Sequence, residues 1–168
     1  MAEDITIAEA MPRSAAGIAA FRDHAGLRAA LQAELGADIP DRPCFIQAGG
    51  VTLSCLGPAR YFATGPRPSN LPERLAQALQ GLAAITDQSD LWQVFTCSGT
   101  NIREQLARLV PIDLRPESFP VGSLALTRAG HFDARVWRIG DDVYELAVAR
   151  SYAEDLIYLL RRQADALS

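Results

Sequence analysis

Along the chain, short alternating apolar runs alternate with segments of helical period, and this rhythm predicts an α+β protein. From His24 to Gly36, Leu27, Leu31 and Leu35 recur four apart on one face of a helix. Gly36 stops it, and Pro40 and Pro43 lie beyond the break. Phe45 to Ala48 and Val51 to Leu56 read as two strands of a hairpin. Gly49-Gly50 supplies the positive φ at its two-residue turn. Further strands are expected at Ile18 to Arg22 and Tyr61 to Thr64, and a helix begins at Asn70 with Leu71, Leu75, Leu79 and Leu82 inward.

The same plan returns in the second half. Leu91 to Cys97 reads as a strand with both faces covered, because Trp92, Val94 and Thr96 alternate with Gln93, Phe95 and Cys97. A helix carrying Ile102, Leu106 and Leu109 ends at Pro111. Three strands follow, at Ser123 to Thr127, Phe132 to Ile139 and Val143 to Val148, with the last two joined by Gly140-Asp141-Asp142. The final helix turns Ala153, Leu156, Ile157 and Leu160 inward. Its Arg161 and Arg162 lie where the helix dipole favours cations. Asn70 with Glu73, Asn101 with Glu104, and Ser151 with Glu154 have the spacing of capping boxes.

Two internal echoes organise these elements. Leu27-Arg28, Leu31 and Leu35 match Ile102-Arg103, Leu106 and Val110 at a shift of 75, and Gly57 to Tyr61 matches Gly140 to Tyr144 at a shift of 83. The expected architecture is two β-α-β-β-α units of the split βαβ, ferredoxin-like kind. Residues 1–16 form an N-terminal arm with a short strand around Ile5-Thr6-Ile7. Residues 17–86 form the first unit and 87–168 the second, packed as one compact body.

Composition narrows the function more than it reveals it. At 168 residues, a chain buries roughly 70% of its unfolded surface and needs no staple to fold. A net charge of −4 argues against a general nucleic-acid binder. All 16 basic residues are Arg, which codon bias explains and which also suits ion pairs at buried interfaces. Cys44, Cys55 and Cys97 are too widely spaced for a zinc or redox motif and read as small core residues, implying a reduced, cytoplasmic setting. The N-terminus lacks a signal-peptide pattern, and no apolar run approaches the roughly 20 residues of a membrane span.

Each residue with chemical potential also has a structural role that explains it as well or better. His24 opens a helix. His131 and Asp133 can be drawn as an acid/base pair, yet residues two apart share a strand face in inert sheets. Asp113 reads as a turn carboxylate satisfying backbone donors, with Arg150 as a candidate partner, and Ser151 as a cap rather than a nucleophile. Gly49-Gly50 suits a hairpin better than a phosphate cradle, and Asp141-Asp142 a solvated turn better than a metal site. Trp92, Trp137, Tyr144, Tyr152 and Tyr158 are candidate pterin platforms or, more simply, core and interface anchors. No residue is assigned as catalytic, cofactor-binding or metal-ligating.

The landmarks Asp87-Gln-Ser-Asp90, Ser98-Gly99, Pro111-Ile-Asp113-Leu, Phe119-Pro-Val-Gly122, Val136-Trp-Arg138 and Ala149-Arg150-Ser151 come in an order that resembles the gamma subunit of heterotetrameric sarcosine oxidase. More distantly, they resemble the folate-binding domain of the glycine-cleavage aminomethyltransferase. The resemblance implies a non-catalytic accessory subunit with alpha, beta and delta partners in a complex that oxidatively demethylates sarcosine. FAD, FMN, NAD, tetrahydrofolate and zinc are then expected on the partner subunits and none on this chain. The aminomethyltransferases carry an acidic pair in the strand after the glycine-rich turn. Here Gly130-His-Phe-Asp133 holds a single Asp beside Phe132, which weakens a transferase role. A small folate-binding aminomethyltransferase using Asp133, or a subunit of another amine demethylase, are the alternatives.

Overall fold

The computed structural model describes residues 5–11 and 13–165. It contains ten strands, four α-helices and a short 3-10 turn at Arg150–Tyr152 among the described residues. The strands form two antiparallel five-stranded sheets, so the fold is α+β, with two intertwined ferredoxin-like units. One unit spans Pro12–Asp90. The other takes both flanking pieces of chain, Met1–Met11 and Leu91–Ser168.

Strand β1 (Thr6–Glu9) belongs to the other unit, and the Pro12–Asp90 unit holds β2 (Arg13–Ala20), α1 (His24–Leu35), β3 (Cys44–Ala48), β4 (Val51–Gly57), β5 (Arg60–Pro66), α2 (Leu71–Ala78) and β6 (Ala83–Asp87). The sheet order is β3-β4-β5-β2-β6. With edge strand β3 set aside, that is the split βαβ order, in which β2 sits between β5 and β6. Asp23 caps α1 by accepting from the Gly26 amide at 2.8 Å, and Gly36 ends it at φ 67°. Leu27 and Leu31 are fully buried against Leu53, Ala63 and Leu75, each contributing about 2 kcal/mol by transfer from water. Gly49 and Gly50 close the β3–β4 hairpin at φ 57° and 75°, a turn that suits glycine at both positions.

The second unit contains β1 (Thr6–Glu9), β7 (Trp92–Ser98), α3 (Ile102–Ala107), β8 (Leu124–Ala129), β9 (Phe132–Gly140), β10 (Val143–Ala149) and α4 (Ala153–Asp165). Its order, β1-β7-β10-β9-β8, is the same plan. The place that β6 fills beside β2 is filled here by β1 beside β7, from the other end of the chain. The core packs Phe95, Val136, Tyr144, Leu146 and Val148 of the sheet against Ile102, Leu106, Leu156 and Leu160 of the helices. Gln105 ties the helices together by donating from Nε2 to the Leu160 carbonyl at 2.6 Å.

Several expectations are corrected. The part of residues 1–16 described here is not a loose arm, because β1 pairs with β7 from Thr6 opposite Ser98 to Glu9 opposite Phe95, and β2 already starts at Arg13. Residues 1–4 and 12 of that arm lie outside the described residues. The strand placed at Ile18 to Arg22 runs instead from Arg13 to Ala20. Strand β6 was not anticipated, since the strand-depleted Ala, Ala and Asp of Ala-Ala-Ile-Thr-Asp dilute its Ile-Thr pair, and it is held by pairing with β2. Asn70 and Asn101 occupy N-cap positions but make no side-chain cap bond. Ser151 lies within the 3-10 turn, so its expected capping box is absent too.

Candidate functional site

Asp113, Arg138 and the aromatics mark three places in the second unit, and among the described residues no two of those singled out for chemistry assemble a catalytic pair. The first is the segment after α3. Asp113 accepts from the Arg115 amide at 3.0 Å, from Arg115 Nη2 at 2.6 Å and from Ser118 Oγ at 2.8 Å. These bonds favour the ionised carboxyl, and Arg115 holds it far below the usual carboxylate range. The expected backbone-satisfying role is what is found, but the partner is Arg115, not Arg150.

A depressed pKa makes the stabilisation of this clasp fully present above the ordinary carboxylate pKa of about 3.9. It is lost only as pH falls through the lower folded value, so the clasp should persist in mild acid. Asp113→Asn, which keeps the shape without the charge, is expected to speed hydrogen exchange at the Arg115 amide while leaving β10 amides unchanged. Equal exchange at Arg115 in both proteins would count against the clasp.

The second place is Arg138, whose side chain is 5% exposed. It donates to the carbonyls of Phe119 at 3.0 Å from Nη1, Asp141 at 2.8 Å from Nη2, and Gly140 at 3.3 Å from Nε. One guanidinium therefore pins the 111–122 segment to the β9–β10 turn. Its role was missed, although the alternation Ala134, Val136, Arg138 puts it on the apolar side of β9, a signal for a buried cation with fixed partners. Asp141 and Asp142 are exposed turn residues. Among the described residues, no group of three or more His, Cys, Asp or Glu could hold a metal ion.

The third place is the set of aromatics. Tyr144 is fully buried, with the Arg138 guanidinium 5.8 Å from its ring centre, and Trp137 is buried as well. The Arg135 guanidinium lies 4.0 Å over the Trp92 ring and covers that face. Burial pushes the Arg135 pKa down to about 10, so it remains a cation at neutral pH. Tyr152 stacks on Phe132 at 4.9 Å, and Tyr158 is exposed on α4. Trp92, Trp137 and Tyr144 are thus packing and cation–π groups rather than an open pterin platform.

His131 lies in the turn before β9 and is exposed, with its carbonyl accepting from Arg128 at 2.9 Å. Asp133 is exposed, opposite Arg128 in the β8–β9 ladder. His24, at the start of α1, is exposed in the other unit. What the second unit does present is apolar surface at a sheet edge. Strand β8 is terminal in its sheet, and Leu126 on it is 55% exposed, with Val121 before it and Ile139 of β9 also exposed. Open apolar edges are normally blunted or covered. No helix among the described residues is long and apolar enough to cross a membrane.

Comparison with solved structures agrees with this architecture. A heterotetrameric sarcosine oxidase from Corynebacterium sp. U-96, in complex with pyrrole 2-carboxylate, matches with a TM-score of 0.89 at 22% identity, over 99% of this chain and 86% of that one. The glycine cleavage system aminomethyltransferase T from Bartonella henselae matches with a TM-score of 0.69 at 13% identity, over 93% of this chain and 45% of that one. The regulatory subunit of aspartate kinase from Thermus thermophilus matches at 0.54 and 11% identity, over 95% of this chain and 99% of that one. At these identities, the likeness is one of fold. Among curated proteins, no match is found. The sequence itself matches the model of the sarcosine oxidase gamma subunit family over residues 18–167, and the chain belongs to that family.

Proposed function

We propose that this chain is the non-catalytic gamma subunit of a bacterial, cytoplasmic heterotetrameric sarcosine oxidase, which builds and stabilises the assembly without taking part in bond chemistry. The family match over residues 18–167 carries the reading. The site geometry supports it: Asp113 and Arg138 are spent on loop structure, and Trp92, Trp137 and Tyr144 on packing. FAD, FMN, NAD, tetrahydrofolate and zinc would then sit on the alpha, beta and delta partners. The exposed apolar side chains at the β8 edge fit a surface destined for burial, and stable assembly takes on the order of 1,000 Å² or more of it.

Affinity purification of the tagged chain from its host tests this directly. The expected product is a yellow complex with a flavin spectrum and a native mass well above that of one 18.2 kDa chain. The same chain expressed alone is expected to be poorly soluble. A colourless, monodisperse and highly stable monomer from the native host would overturn the subunit reading.

A further inference from the structure

Cys44 and Cys55 are eleven positions apart in sequence, yet they face each other directly in the β3–β4 ladder. Because the hairpin turn is the pair Gly49-Gly50, with Ala48 opposite Val51, each cysteine lies five positions out from the turn. Directly opposed residues in an antiparallel pair point to the same face, with Cβ atoms about 4.5–5.5 Å apart. A disulfide needs about 3.5–4.5 Å, so the closure required is small. β3 can supply it, because it is a terminal strand of its sheet with β4 as its neighbour, and Cys44 is its first residue.

The two thiols differ in exposure, while burial raises the pKa of both. Cys44 is half-buried and Cys55 is buried, and both are free thiols in the structure. Burial raises the pKa of the more accessible Cys44 thiol, and the nearby Arg42 cation offsets part of that rise. Cys97 is fully buried in the other unit's core and faces Ile7 and Tyr144 across its ladders, with no cysteine opposite.

We propose that Cys44 and Cys55 form a reversible dithiol–disulfide pair oxidised by hydrogen peroxide. The Cys44 thiolate attacks one peroxide oxygen, the O–O bond breaks, and the second oxygen leaves as water once protonated. The resulting Cys44 sulfenic acid is then attacked by the Cys55 thiolate. An S–S bond forms, the S–O bond breaks, and the oxygen leaves as a second water. Overall, two thiols lose two electrons and two protons, and one peroxide becomes two waters.

Treating the chain, purified from its host with whatever partners it carries, with hydrogen peroxide and mapping its peptides without reduction tests the pair. Met11, 84% exposed, serves as the internal dose marker through its sulfoxide. At doses that oxidise Met11, the expected result is a Cys44–Cys55 linked peptide lighter by two hydrogens, reversed by dithiothreitol, with Cys97 still a thiol. Cys44→Ser should abolish the link, and Cys55→Ser should leave a Cys44 sulfenic acid that dimedone traps. Three results would overturn the proposal: both thiols surviving while Met11 is oxidised, Cys44 passing to the sulfinic acid with Cys55 still reduced, or linkage only between separate chains.

Discussion

Leu146→Ala is expected to destabilise the second unit by about 3 kcal/mol, within the usual span for deleting a buried leucine side chain. Leu146 is fully buried in β10, the middle strand of its sheet, between Phe95 of β7 and Val136 of β9 in the ladder. The helices close over it with Leu106 and Leu156, which belong to the same core. Atoms on both the strand and helix sides would lose their contacts, and a sheet centre held on two sides collapses poorly into a void. Leu126→Ala is the control, with the same residue type in the same sheet, at an exposed edge position. It should change stability by less than about 0.5 kcal/mol. Urea unfolding of the two variants reads the difference. Equal midpoints would mean that β10 is not the centre of this core.

Arg138→Ala should cost about 3 kcal/mol, because the carbonyls of Phe119, Gly140 and Asp141 lose a charged donor in a place with little access to water. The shape of the guanidinium matters as much as its charge. Three nitrogens of one planar fork reach three separate carbonyls, whereas an ammonium is a single point with its donors on one atom. Arg138→Lys is therefore expected to recover less than half of the loss. The local signature should be faster hydrogen exchange around Phe119 and Gly122, since Phe119 loses its tether and the Gly122 amide is bonded to the Arg138 carbonyl. Full recovery by lysine would show that the site needs only a positive charge.

The readable parts of this fold were those decided within a few residues. Gly49-Gly50, with Ala48 and Val51 on either side, specifies a two-residue hairpin, and Gly36 in the left-handed region ends α1 as its position foretold. Leu156 and Leu160 turn inward on α4 because helical spacing leaves them no other face. The shift of 83 that pairs Tyr61 with Tyr144 corresponds to equivalent places, each in the strand before the unit's second helix and facing its core. Edge strands β1 and β6 were the weak point, whereas edge strands β3 and β8, each joined to its neighbour by a short glycine-containing turn, were read. A strand paired on one side is held by its partner more than by its own propensity, which is why β6 was invisible and β1 was only glimpsed.

The chemical sites divide in the same way. Asp113 as a turn carboxylate was legible because its donors, Arg115 and Ser118, are close neighbours in sequence. The role of Arg138 depends on Phe119, nineteen residues away, and no local pattern names that partner. Cys44 and Cys55 are an intermediate case. Their opposition follows from the hairpin register, yet linear spacing alone had dismissed them.

By itself, the sequence determined the α+β class, the two-unit plan, most hairpins and helices, and the family resemblance, since all of these rest on periodicity, turn residues and the order of short motifs. Only the tertiary structure decided that the chain's first strand completes the sheet of its second half, that Arg138 reaches the Phe119 carbonyl nineteen residues away, and which aromatics are buried. These outcomes depend on long-range pairing, where the favourable contact lies tens of residues away and local conformational preference carries no record of it.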